Sequence, residues 1–156
     1  MSRIRKAWRV CGPYDAEWQG SVVFAPTAAK ARYKEYLSAS DHDDDLKLID
    51  FRVRRAPEED IALPERHDLA STIRPQALAC LMHATGLNMP RNEKTLKRNS
   101  FYTDANDSRM IDLEKAGLMK NTGRGWEQGS VYFVATDLGI EVARSCEPLY
   151  EYEAVA

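Results

Sequence analysis

Met110-Ile111-Asp112-Leu113-Glu114-Lys115-Ala116-Gly117-Leu118, followed by Ser130-Val131-Tyr132-Phe133-Val134-Ala135-Thr136, decides how the chain is read. Met110 and Leu113, with Ile111 and Ala116 less well placed, put apolar atoms on one side at helical spacing. Asp104 or Asn106 can cap that helix, because a short side-chain oxygen accepts from the free N–H groups of a first turn. Gly117 ends it: the residue just past the last turn takes a left-handed conformation that only glycine adopts without a Cβ clash, and Leu118 folds back onto the helix. Met119 to Asn121 reads as the first strand of a ribbon and Thr122-Gly123-Arg124-Gly125 as its turn. In the second strand Tyr132, Val134 and Thr136 alternate with Val131, Phe133 and Ala135, a pattern that predicts burial on both faces. Thr136 caps a closing helix from Asp137 to Arg144. A short helix over Glu93–Arg98 precedes the whole. From Asn92 to Ser145 the order is helix, loop, helix, two-stranded ribbon, helix.

Leu113, Gly117, Leu118, Tyr132, Thr136 and Gly139 together resemble the leucine, glycine-leucine, tyrosine, threonine, glycine signature of winged helix-turn-helix proteins. The stretch also resembles the small wing-containing accessory proteins encoded by bacteriophages and prophages. The likeness covers the C-terminal half and is one of pattern. It implies that the helix ending at Gly117 is a recognition helix and that Gly123 to Gln128 is the tip of a wing. The module would span 72–156, with an acidic tail from Glu147 onward.

Residues 1–57 read as a separate small unit. Lys6 to Cys11 alternates, Gly12-Pro13-Tyr14-Asp15 is a turn, and Ser21 to Ala25 is a second strand. Thr27 caps a helix in which Ala29, Tyr33, Tyr36 and Leu37 recur as the buried stripe. Leu46 to Arg55 is a third strand, ended by Pro57, which lacks the donor a ladder needs. The expected arrangement is a three-stranded ββαβ sheet with one helix, and the fold class of the chain is α+β. Residues 58–71, rich in proline and charge, read as a linker. Ser71 or Thr72 caps the helix that follows, with Pro75 in its first turn and Ala77, Leu78, Leu81, Met82 and Thr85 on its apolar face.

The chain has 156 residues, 44% hydrophobic and 29% charged, which is a globular composition. No apolar run is long enough to span a bilayer, and no signal core follows the basic start, so a cytoplasmic protein is expected, without membrane contact. Cys11, Cys80 and Cys146 are too scattered for a metal motif and read as buried thiols. Asp41-His42-Asp43-Asp44-Asp45 fails the calcium-loop pattern: its sixth and twelfth positions are Leu46 and Arg52 where glycine and glutamate are needed. No phosphate-cradling glycine loop, nucleophile elbow or His-Glu-x-x-His is present, and His42, His67 and His83 stand beside no nucleophile. A non-enzymatic protein without cofactor is the expectation.

The net charge of −2 opposes a simple DNA-binding reading, since phosphate contacts supply most of such a protein's affinity. Between Arg91 and Arg124, however, eight basic residues face five acidic ones, a local excess of three. DNA, bound as a homodimer, is therefore the first candidate partner, with Arg98, Arg109, Lys115, Lys120 and Arg124 contacting phosphates or base edges. Trp126 either anchors a protein interface or folds under the ribbon as core. The alternative is an inhibitor or adaptor, anti-defence or anti-CRISPR-like, that binds a host protein complex through the winged scaffold. Arg52, Arg54 and Arg55, with Lys47, line one sheet face, either as paired surface charge or as a phosphate- or partner-contacting patch.

Overall fold

The computed structural model describes residues 3–90, 96 and 98–151. The fold is mixed α+β, in two compact units that meet in sequence at Ala62 and Leu63. Among the described residues no helix is long and apolar enough to cross a membrane.

The first unit holds β1 (Arg3–Arg5), β2 (Ala7–Cys11), β3 (Ser21–Phe24), α1 (Ala28–Ser40) and β4 (Arg52–Arg55), and ends in β5 (Ile61–Leu63). The antiparallel sheet has the order β3-β2-β4, with Val10 opposite Ser21 on one side and Val53 on the other, and β1 pairs with β5 in a second small sheet. Val10, Val23, Ala25, Ala31 and Phe51 form the core.

Three expectations change here. The stripe proposed for α1 faces outward: Tyr33 and Leu37 are 52% and 43% exposed and Ala29 is exposed too, leaving Tyr36 alone of the four against the core. The side that meets the sheet is marked by Ala31 and Ala39, small residues that a search for large apolar side chains passes over. Tyr36 meets Phe51 edge-on at 6.0 Å. The third strand is shorter than its alternation suggests. Leu48–Asp50 is a 3-10 turn, because the Asp50 carboxylate accepts from Lys47 N at 2.9 Å and offers that backbone an alternative to a ladder. Ile49 is thereby turned out, 83% exposed. The span 58–71 is also structured. Pro57–Glu59 forms a 3-10 turn, β5 finds β1 as its partner, and Leu69–Thr72 makes the short helix α2. Ser71 and Thr72 lie inside α2, so the next helix is entered through Arg74, with Pro75 at its first position.

The second unit continues with α3 (Pro75–Thr85), β6 (Ser100–Asp104), α4 (Ser108–Lys115), β7 (Met119–Asn121), β8 (Ser130–Ala135) and α5 (Asp137–Cys146). α3 is the buried hub, with Ala77, Leu78, Leu81, Met82 and Ala84 all in the core beside Met110, Leu113, Leu118, Phe133 and Val142. The helix expected over Glu93–Arg98 falls mostly outside the described residues; Leu96 and Arg98 are described and are not helical.

The ribbon belongs to a three-stranded antiparallel sheet of order β6-β8-β7. β6 pairs along its whole length, from Ser100 opposite Val134 to Asp104 opposite Ser130. With Asp104 in a strand, the cap of α4 is Asp107, whose side chain accepts from Arg109 N at 2.9 Å. Gly117 is left-handed, φ 72°, and Leu118 N donates to Leu113 O at 2.8 Å, closing the helix as its sequence implies. The Thr136 hydroxyl accepts from Gly139 N at 3.0 Å and donates to Gly117 O at 2.6 Å, so one side chain ties the start of α5 to the end of α4. β8 is buried on one face only: Phe133 and Ala135 point inward, whereas Tyr132 and Val134 are half-open on the other side.

Candidate macromolecule-binding surface

The helix α4 uses most of its polar groups on its own neighbours. Arg109 folds back on the cap residue, its Nε and Nη2 donating to the two Asp107 carboxylate oxygens at 3.0 and 2.6 Å. The Thr103 hydroxyl donates to the same carboxylate at 3.0 Å. The Arg109 guanidinium, aided by these bonds against the cost of burial, holds the Asp107 carboxyl well below the usual carboxylate range. Asp112 accepts from Arg74 Nε at 2.5 Å, and Arg74 also reaches the Ser108 hydroxyl at 3.3 Å. Glu114 accepts from Asn121 N at 3.1 Å. Of the basic residues expected on this helix, Lys115 is exposed and Arg109 is half-buried in its pair.

The remaining cations stand elsewhere. Arg98 is exposed just before β6. Lys120 and Arg124 line a shallow groove of about 490 Å³ with Asn121, Thr122, Tyr132 and Val134. The register explains the grouping. Lys120 lies opposite Val134, and Tyr132 lies two residues further along the same face, opposite Tyr102 on β6. The outer face of the sheet therefore presents Tyr102, Tyr132, Val134 and Lys120, while Phe133 occupies the core.

The turn between β7 and β8 is built to close tolerance. Thr122 N and the Thr122 hydroxyl both donate to Tyr132 O, at 2.9 and 2.8 Å, and Tyr132 N donates to Arg124 O at 2.8 Å. A Cβ on Gly125 would lie 1.8 Å from Ser130 O, so only glycine fits. Gly123 and Gly129 are left-handed, φ 67° and 87°. Trp126, at the tip, is 85% exposed, so it is not core under the ribbon. Its Nε1 donates to the Tyr132 hydroxyl at 2.7 Å. The Tyr102 hydroxyl accepts from Trp126 N and Glu127 N at 3.2 and 3.0 Å, and the two tyrosine rings lie 4.7 Å apart. Two strand tyrosines thus hold the tip from below.

Lys120 and Arg124 line one groove with Tyr132, to which the Trp126 indole is bonded, and Arg109 is turned to another use. Tyr102, opposite Tyr132, shares that outer face. The Phe101-Tyr102-Thr103 alternation before Asp104 was the available signal for β6, and with it for Tyr102.

In the first unit the four basic residues expected on one face divide, and Lys47 precedes the Leu48–Asp50 turn, outside the sheet. Arg52 and Arg54 share the outer face with Arg9, whereas Arg55 points the other way, over the Trp8 ring and clamped to Asp60 by bonds of 2.6 and 2.5 Å. Cys11, Cys80 and Cys146 are buried free thiols, and burial pushes the Cys80 thiol above its ordinary value. The chain matches no family model, no curated protein and no solved structure.

Proposed function

We propose that the protein is a non-enzymatic accessory protein of the phage or prophage type, acting in the cytoplasm of a bacterial host, that binds DNA through its C-terminal unit. In this reading the unit is a winged-helix-like module and residues 1–57 are a ββαβ unit. DNA is met by the wing and the outer sheet face rather than by α4. One observation carries this: exposed Lys120 and Arg124 line a groove together with Tyr132, whose hydroxyl accepts from the indole of the exposed Trp126. Phosphates supply the affinity for such cations, and aromatic surface supplies contact with the bases. The self-paired state of Arg109, Asp112 and Ser108 supports the displacement from helix to wing.

Fluorescence anisotropy on labelled DNA at low and moderate salt tests the reading. Affinity should fall steeply with salt. The double variant Lys120→Ala, Arg124→Ala should weaken binding and reduce the slope of log K against log[salt] by about two. Arg109→Ala should leave that slope unchanged. No binding at low salt would remove the reading.

The exposure of Trp126 also favours a second reading, in which the same tip anchors a host protein complex and the module acts as an inhibitor or adaptor. A partner recovered from host lysate by the native chain but not by Trp126→Ala, in a protein without DNA affinity, would establish it.

A further inference from the structure

We infer that the wing and the outer face of the β6-β8-β7 sheet form a stacking platform for unpaired bases, so that the ligand is single-stranded rather than duplex DNA. This rests on the DNA-binding reading above and names the form of DNA it concerns.

An indole has one donor and no acceptor. In Trp126 that donor is already used, in the 2.7 Å bond to the Tyr132 hydroxyl. What the ring offers to a ligand over its 85% exposed surface is therefore π face and apolar edge, with no polar atom to read a partner. A duplex shows a protein only the edges of its bases, read by donors and acceptors in the grooves. Its base faces are hidden in the stack. An unpaired strand exposes those faces, and every base has one. The chemistry left over on Trp126 fits the second kind of target.

The ring is also tethered at one edge before any ligand arrives. Its own Nε1 bond, the Tyr102 hydroxyl under Trp126 N and Glu127 N, and the close seat of Gly125 on Ser130 O fix the backbone and one edge of the side chain. An exposed aromatic that needs no further ordering loses little rotamer freedom on binding. Tyr132, which accepts from the indole, also lines the groove with Lys120 and Arg124, cations that can meet the phosphates of a strand laid along the sheet.

The test uses the full chain and two fluorescein-labelled probes of equal length, an oligodeoxythymidine of about 12 nucleotides and a hairpin duplex. Anisotropy and intrinsic tryptophan emission are both read. The single strand should bind about tenfold tighter than the duplex, and it should quench emission. Trp126→Ala should lose about tenfold in single-strand affinity together with the quench. Trp126→Phe, which keeps an aromatic plane, should retain the affinity and lose the quench. Duplex binding equal to or tighter than single-strand binding, or a quench that survives in Trp126→Ala, would overturn the inference and leave DNA binding standing. Binding to neither probe would overturn both.

Discussion

Each unit carries a three-stranded antiparallel sheet with a tryptophan on a loop at its outer face, and the two tryptophans are used in opposite ways. Trp18 lies on the loop between β2 and β3, in a left-handed conformation at φ 57°, with the Arg54 guanidinium 4.5 Å and that of Arg52 5.7 Å from its ring centre. Arg54 lies directly opposite Arg9, whose own charge is met by Glu59 at 3.4 Å, and the indole face takes up the Arg54 cation. Trp126 has its N–H satisfied by Tyr132 and its ring left open. An occupied ring belongs to the fold, whereas an unoccupied one is available to a ligand. That is why the proposed DNA contact is placed on the second sheet although the first carries more arginine.

The largest test of this parallel is at the glycines that let each loop lie on its sheet. A Cβ on Gly20 would fall 2.0 Å from Val10 O, and one on Gly125 1.8 Å from Ser130 O. Both contacts are with backbone, which cannot swing aside. Gly20→Ala and Gly125→Ala should each destabilise their unit by roughly 1–3 kcal/mol, measured by chemical denaturation. Gly125→Ala should also lose DNA affinity, while a folded Gly20→Ala should retain it. Equal binding losses from both would break the assignment of function to one sheet.

An intermediate effect is expected from the two Asp–Arg clamps. Asp107 is held by Arg109 and Asp60 by Arg55, and in both the guanidinium hydrogen bond is the main force drawing the carboxyl below its ordinary value. An unfolded aspartate titrates near 4. A carboxyl depressed in the fold contributes stability that is whole above about pH 4 and is lost as pH falls toward the lower folded value. Asp107→Asn keeps a helix cap through Oδ1 and removes the charge together with the Oδ2 acceptor used by Arg109 Nη2 and the Thr103 hydroxyl. Its stability should therefore vary less than that of the native chain between about pH 4 and pH 2. Asp60→Asn should do the same to a smaller degree, since its pair is the weaker perturbed of the two. A native chain whose stability is flat below pH 4 would show that neither clamp matters to folding.

How much of this was legible in the sequence depends on how local each cause is. Gly117, Leu118 and Thr136 act within a turn of their own positions, and the end of α4 and the start of α5 were readable from them. The cap of α4 was misplaced because Asp104 and Asp107 are both good caps, and β6, which takes up Asp104, was not anticipated. The face of α1 was misjudged because the contact with the sheet is marked by Ala31 and Ala39, while Tyr33 and Leu37 mimic a core stripe. Trp126 was undecidable in sequence, since a glycine-rich tip permits the ring to fold under or stand out. The groups that hold it, the hydroxyls of Tyr102 and Tyr132, come from strands whose pairing is a tertiary fact.

The smallest stability effect is expected where the functional effect is largest. Trp18→Ala removes the surface on which Arg52 and Arg54 rest. It should cost about 1 kcal/mol or more. Trp126→Ala removes a ring that is 85% exposed and a single solvent-accessible hydrogen bond to Tyr132, and it should change stability by less than about 0.5 kcal/mol. The tip does not depend on the indole: Tyr102 holds it through backbone N–H groups, and the Thr122 and Arg124 bonds to Tyr132 are backbone or hydroxyl bonds. Paired urea melts of the two variants decide the matter. If Trp126→Ala were as costly as Trp18→Ala, the ring would be a structural prop of the wing, and any accompanying loss of binding would reflect a disordered tip. A melt unchanged from the native chain, with binding lost, assigns the indole face to the ligand.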